Sequence, residues 1–192
     1  MSYSSASPET LSIRRQLRAA VDGRVVTADN ADYDQARTLF YGGFDRRPQA
    51  IVWPTDTVEV AQVVSLAAEG GLELAVRGGG HSSAGHSVCD GGIVLDLSDL
   101  KALEIDTAKG TAWAQTGLTA GELTTEAARH GLAVGFGDTA SVGIGGLTLG
   151  GGIGYLARKH GLTIDSLLAA ELVCADGRTV HTDADTHPEL FW

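Results

Sequence analysis

Along this chain, short apolar blocks alternate with glycine-rich breaks. Leu11 to Val21 reads as a solvated leading helix carrying Arg14, Arg15 and Arg18. Gly23 to Asp34 is turn-rich, and Gln35 to Tyr41 suits a short helix. Ala50 to Trp53 is an apolar run ended by Pro54, which predicts a strand. Thr55 or Asp56 then caps a helix through Glu69, closed by Gly70-Gly71. Leu72 to Val76 and Ile93 to Leu97 are the next strands, with a glycine loop between them. Beyond Leu100, Ala102 to Asp106 and Thr111 to Gln115 predict a hairpin across Thr107-Ala108-Lys109-Gly110. Thr119-Ala-Gly-Glu122 fits a capping box, starting a helix to His130 that Gly131 closes. Leu132 to Val134 is extended and a long glycine loop follows. A helix around Tyr155 to His160 comes next. Leu168 to Cys174 and Thr179 to His181 form a final strand pair. The pattern is α+β. It divides into a lead-in over 1–46, a first subdomain over 47–99 and a second over 100–192.

Composition changes this picture mainly through glycine. Of 26 glycines, 17 fall within 70–92 and 135–154. Glycine is entropically costly in ordered structure, so such crowding needs a cause. In Arg77-Gly78-Gly79-Gly80-His81-Ser82 a strand feeds directly into successive glycines, whose N–H groups can turn toward one anion. A diphosphate suits such a hollow, and His81 would sit beside whatever it carries. The second stretch runs from Gly137 to Gly154. It adds backbone N–H groups and the hydroxyls of Thr139, Ser141 and Thr148, donors without positive charge. Tight backbone packing is the other use of such glycines, and both uses are expected here.

Net charge is −10, which disfavours a general nucleic-acid binder. No apolar run reaches the length of a membrane span. Met1 to Thr10 does not read as a secretory signal, and two cysteines make no disulfide framework, so a cytoplasmic home is expected. Cys89 and Cys174 read as small buried residues, and Trp53, Trp113 and Trp192 as core or interface. Gly-x-Gly-x-x-Gly is missing, as is a Gly-Lys-Ser/Thr phosphate loop. Gly85-His86-Ser87-Val88-Cys89 lacks the final glycine of a hydrolase elbow. The spacing of His81, His86 and Cys89 matches no common zinc pattern, so no metal is expected. His86 supports the loop or touches the ligand.

Five segments, taken in order, resemble one family. They are Arg47-Pro-Gln-Ala-Ile-Val-Trp-Pro-Thr, Val76-Arg-Gly-Gly-Gly-His81-Ser, Gly92-Ile-Val-Leu-Asp-Leu-Ser98, Gly143-Ile-Gly-Gly-Leu-Thr-Leu-Gly-Gly-Gly-Ile-Gly154 and His187-Pro-Glu-Leu-Phe-Trp192. The chain resembles the FAD-binding domain of the vanillyl-alcohol-oxidase and p-cresol-methylhydroxylase (PCMH-type) superfamily, in its berberine-bridge-enzyme-like branch of FAD-linked oxidases. The resemblance implies a PCMH-type FAD-binding domain of two α+β subdomains holding the cofactor between them, truncated before the substrate domain. It implies a histidyl bond from His81 to the flavin 8α carbon. It also implies no second, cysteinyl bond, because Thr139 stands where many members have cysteine.

The expected cofactor-binding residues are Arg77, Gly78, Gly79, Gly80, His81, Ser82, His86, Gly137, Thr139, Val142, Gly143, Gly145, Gly146, Gly150, Gly152 and Gly154. The implied function is that of an FAD-binding module of an oxidase. The intact enzyme would pass hydride from a small organic substrate to the flavin and electrons to dioxygen. This chain alone is expected to be inactive, and a partner chain could cover the apolar end at Leu190, Phe191 and Trp192. The alternatives are a non-catalytic FAD-binding or assembly domain and a nucleotide-diphosphate binder that leaves His81 unmodified.

Overall fold

The computed structural model describes residues 8–192. In chain order the helices and strands begin with α1 (Pro8–Ala20), β1 (Arg24–Val26), α2 (Tyr33–Ala36), β2 (Ala50–Trp53), α3 (Thr57–Glu69), β3 (Leu74–Arg77) and β4 (Ile93–Asp96). There follow β5 (Leu103–Asp106), β6 (Thr111–Ala114), α4 (Ala120–Arg129), α5 (Ile144–Leu149), α6 (Ala157–His160), β7 (Ala169–Val173), β8 (Thr179–Asp183) and α7 (Pro188–Phe191). They fall into two compact units. One takes the described part of Met1–Val76 with Ser82–Asp96 and Val173–Thr179, and the other takes Arg77–His81, Leu97–Leu172 and Val180–Trp192. The glycine loop after β3 thus divides at His81 and Ser82.

The first unit is a four-stranded sheet in the order β1-β2-β4-β3, with β2 parallel to β4 and β1 antiparallel to β2. Every residue of β2 and β4 is buried, as expected for parallel strands covered on both faces. Ile51, Trp53 and Val94 pack on one face with Val26, Tyr33, Val88 and Cys89. α3 packs on β4. Asp56 accepts the Glu59 N–H at 2.8 Å and so caps α3. The Glu59 carboxylate in turn accepts from the backbone N–H groups of Asp22 and Thr55, each at 2.7 Å. Burial works to raise the Glu59 pKa, but these donors prevail and hold it below the usual 4.5.

The leading helix is not simply solvated. Ile13, Leu17 and Val21 are buried at spacings of four, and α1 packs on α3. The turn-rich segment holds the short strand β1, and the helix expected over 35–41 is instead α2, starting two residues earlier. Cys89 is buried, and burial and the Glu73 carboxylate push its thiol pKa up, as suits a packing residue. Cys174 is only partly buried. Among the tryptophans, Trp53 is buried, whereas Trp113 and Trp192 are exposed.

In the second unit β5 and β6 pair antiparallel with Leu103 opposite Ala114, and Asp106 accepts the N–H groups of Ala108 and Lys109 in the turn. α4 starts at a complete capping box, in which Glu122 N donates to Thr119 Oγ1 at 3.3 Å and Thr119 N to Glu122 Oε2 at 2.8 Å. Lys101 reaches Glu122 Oε1 at 2.5 Å. Ala120, Leu123 and Ala127 form its buried stripe, and Leu123 joins Leu118, Phe136 and Ile144 in a small core. The long glycine loop contains a helix, α5, inside it. Ile144 and Leu147 carry this helix into that core, and their packing overrides the poor helix propensity of the adjoining glycines. β7 and β8 form a two-stranded sheet.

Candidate cofactor site

The site is built where the two glycine stretches meet within the second unit. Arg77 ends β3, and its carbonyl accepts from Leu97 N at 2.7 Å. The chain then turns through Gly78, Gly79 and Gly80, the last at φ +69°. Segment 140–144 is tied to the start of α4 by three backbone bonds. Ala120 N donates to Val142 O at 2.8 Å, Gly121 N to Ala140 O at 2.9 Å, and Ile144 N to Leu118 O at 2.9 Å.

These two strips of backbone touch at Gly79 and Gly143. A Cβ on Gly79 would lie 2.9 Å from Gly143 Cα and 3.1 Å from Ser141 O, and closer still to Gly143 N. A Cβ on Gly143 would lie 3.0 Å from Gly79 Cα. No side chain fits between strips this close. Two residues from the crossing on each strip stand His81 and Ser141, and Ser141 Oγ lies 3.1 Å from His81 Nε2.

The glycines of the second stretch divide by what faces them. Gly145 faces Thr116, Gly152 faces Thr163, and Gly154 faces the Phe136 carbonyl, all too closely for a side chain. Gly137 and Gly150 have ordinary neighbours at 3.4 Å or more. Gly146 is exposed, and a Cβ there would meet nothing within 4 Å. Its bareness is therefore not demanded by the fold. The Thr148 hydroxyl donates to the Ile144 carbonyl at 2.7 Å, and that of Thr139 to the Asp138 carboxylate at 3.0 Å. Of the sequence-derived set, Arg77 to His81 come together with Val142, Gly143 and Gly145. Ser82 and His86 belong to the first unit, where Ser82 Oγ accepts from His86 N at 3.2 Å. Thr116, which Gly145 packs against, carries no sequence signal that would have marked it. Among the described residues, no three His, Cys, Asp or Glu side chains are grouped to hold a metal ion. No helix among them is long and apolar enough to cross a membrane.

Fold and crossing loops define an α+β domain of two compact units with a glycine-lined crossing in the second. A family model described as an FAD binding domain matches residues 48–183. (R)-6-hydroxynicotine oxidase of Paenarthrobacter nicotinovorans is 40% identical over 173 residues, which are 90% of this chain and 38% of that protein. The solved 6-hydroxy-D-nicotine oxidase from Arthrobacter nicotinovorans superposes with a TM-score of 0.88 at 40% identity, over 90% of this chain and 38% of its own. Glucooligosaccharide oxidase from Acremonium strictum, a 6-S-cysteinyl, 8α-N1-histidyl FAD protein, superposes with a TM-score of 0.88 at 33% identity, over 94% of this chain and 38% of its own. The chain belongs to the PCMH-type FAD-binding domains of the berberine-bridge-enzyme-like FAD-linked oxidoreductases. It spans 38% of the length of these matched proteins.

Proposed function

We propose that this chain holds FAD on the crossed strips 77–81 and 141–146, with the flavin bonded to His81 alone, as part of an oxidase of small organic molecules. The observation that carries this reading is the Gly79–Gly143 crossing, which sets an imidazole beside bare backbone. The residues present fit the cofactor. Gly146 leaves open space where any other residue would place a Cβ, and Gly78 has only Thr116 O nearby, at 3.6 Å. N–H groups from both strips can bind a diphosphate with no added cation, which accommodates an anion in an acidic chain.

FAD, when bound, supplies the hydride acceptor and the route of electrons to dioxygen. The chain supplies position. The backbone bonds from Leu118, Ala120 and Gly121 fix strip 140–144, so the site is preorganised before the cofactor arrives. Thr139 carries a hydroxyl, which forms no thioether, and this supports a single covalent link. Leu149, Ile153, Tyr155 and Leu168 are exposed, which supports cover by further protein in the intact enzyme. The match takes in 38% of the relative's length, and the base acting on substrate is assigned to no residue of this chain.

The test is the intact mass and visible spectrum of the acid-denatured protein. Wild type should retain one FAD, and His81→Ala none. Loss of all flavin from denatured wild type, or retention by His81→Ala, refutes the assignment.

A further inference from the structure

We infer that Ser141 is the positioning residue for attachment of the flavin to His81: its hydroxyl oxygen accepts a hydrogen bond from Nε2–H and so directs the reaction to Nδ1. The inference rests on the FAD reading above and adds a role for a second side chain. Ser141 Oγ lies 3.1 Å from Nε2. The contact is no accident of two mobile loops. The strips cross backbone to backbone two residues away, at Gly79 and Gly143, and Val142 and Ala140 on either side of Ser141 are bonded to the first turn of α4.

A neutral imidazole carries one N–H and one lone pair, and the partner of one nitrogen decides which is which. If Nε2–H donates to Ser141 Oγ, the lone pair is on Nδ1, which is then the nucleophile. Were Ser141 instead to donate to Nε2, the proton would sit on Nδ1 and the Nε2 lone pair would be held by the hydroxyl, so neither nitrogen could attack. Attachment balances as follows. His81 Nδ1 forms a bond to the 8α carbon, one 8α C–H bond breaks, and Nε2 gives up its proton as the ring becomes neutral again. The electron pair and both protons end on the flavin as its two-electron-reduced form, and dioxygen takes them up as hydrogen peroxide. Through that sequence Oγ holds the ring in one plane and offers an acceptor to the charge that builds on Nε2–H.

The experiment uses the protein at its natural length, produced without flavin and then mixed with FAD in air. Two quantities are read with time: total bound FAD, and FAD that survives acid precipitation. With FAD at saturation, Ser141→Ala should attach the FAD it has bound about 10- to 100-fold more slowly than wild type. Ser141→Thr, which keeps the hydroxyl, should recover most of the rate. NMR of the flavin peptide from wild type should show an Nδ1 linkage. Attachment by Ser141→Ala at the wild-type rate, no recovery in Ser141→Thr, or an Nε2 linkage overturns the role of Ser141 while leaving the FAD reading intact. A wild type with no acid-stable flavin overturns both. Should Ser141→Ala fail to fold, Ser141→Gly, which also removes the hydroxyl, is read in the same way.

Discussion

Gly143→Ala isolates the crossing on which the proposed cofactor site depends. Gly143 has φ −68° and ψ 133°, a backbone that alanine adopts freely, so any cost comes from contact alone. The added methyl would sit 3.0 Å from Gly79 Cα and 3.3 Å from Gly78 C, with Gly79 N nearer still, against an ordinary carbon contact of about 3.5–4.0 Å. All three are backbone atoms and have no rotamer by which to step aside. Overpacking of this kind costs about 1–3 kcal/mol and sometimes more. The stiffer unfolded chain returns about 0.4–1 kcal/mol. A net loss of about 1–2 kcal/mol shifts Tm down by about 2–8 °C in a chain of this size. The strips must also part, which separates His81 from Ser141 and, on the attachment proposed above, should slow it. The assay is thermal unfolding of flavin-free protein by circular dichroism, paired with acid-stable flavin after incubation with FAD. Gly146→Ala is the control. Its methyl meets no protein atom and it lies in α5, so Tm should hold or rise slightly while FAD affinity falls. A Gly143→Ala protein as stable as wild type and fully flavinylated would refute the crossing as a constraint. Unchanged FAD affinity in Gly146→Ala would refute the placement of the cofactor against that residue.

Two further substitutions test the frame around the site. Glu59→Gln replaces one accepting oxygen with a donor that faces a backbone N–H of Asp22 or Thr55, and should cost about 2–3 kcal/mol by chemical denaturation. Because the folded Glu59 pKa lies below 4.5, its contribution is complete above that pH and lost as the pH falls through the folded value. The gap between wild type and Glu59→Gln should therefore narrow on going from pH 7 to pH 3. A constant gap would show that charge is not the cause. Thr119→Ala removes the α4 cap and should cost about 1 kcal/mol, with Thr119→Ser close to wild type, both read from the same denaturant midpoints.

Local rules with short reach were legible in the chain. The all-apolar run Ala50–Trp53 is β2 to the residue, Asp56 is the cap of α3, and Thr119 with Glu122 makes the capping box. Each depends on groups within a few positions, so the sequence contains the whole interaction. β1 escaped because three residues carry no period, and it is a strand only by pairing Val25 with Val52. α5 escaped because its glycines argue against a helix until Ile144 and Leu147 find a core made by Leu118, Leu123 and Phe136. α1 looked solvated because its buried face needs α3, some forty residues on, to cover it.

At the site the same division holds. The order of glycines, histidine and serine in the sequence determined which chemistry is available, since those residue types offer bare N–H groups, a nucleophilic nitrogen and an uncharged acceptor. Which glycines serve packing and which face open space is a different matter. Gly143 and Gly146 are indistinguishable as letters in one motif, yet one is pressed against Gly79 and the other meets nothing. Likewise nothing in the chain joins Ser141 to His81, sixty residues apart. Those assignments depend on distances between segments remote in sequence, and only folding brings such segments within contact range.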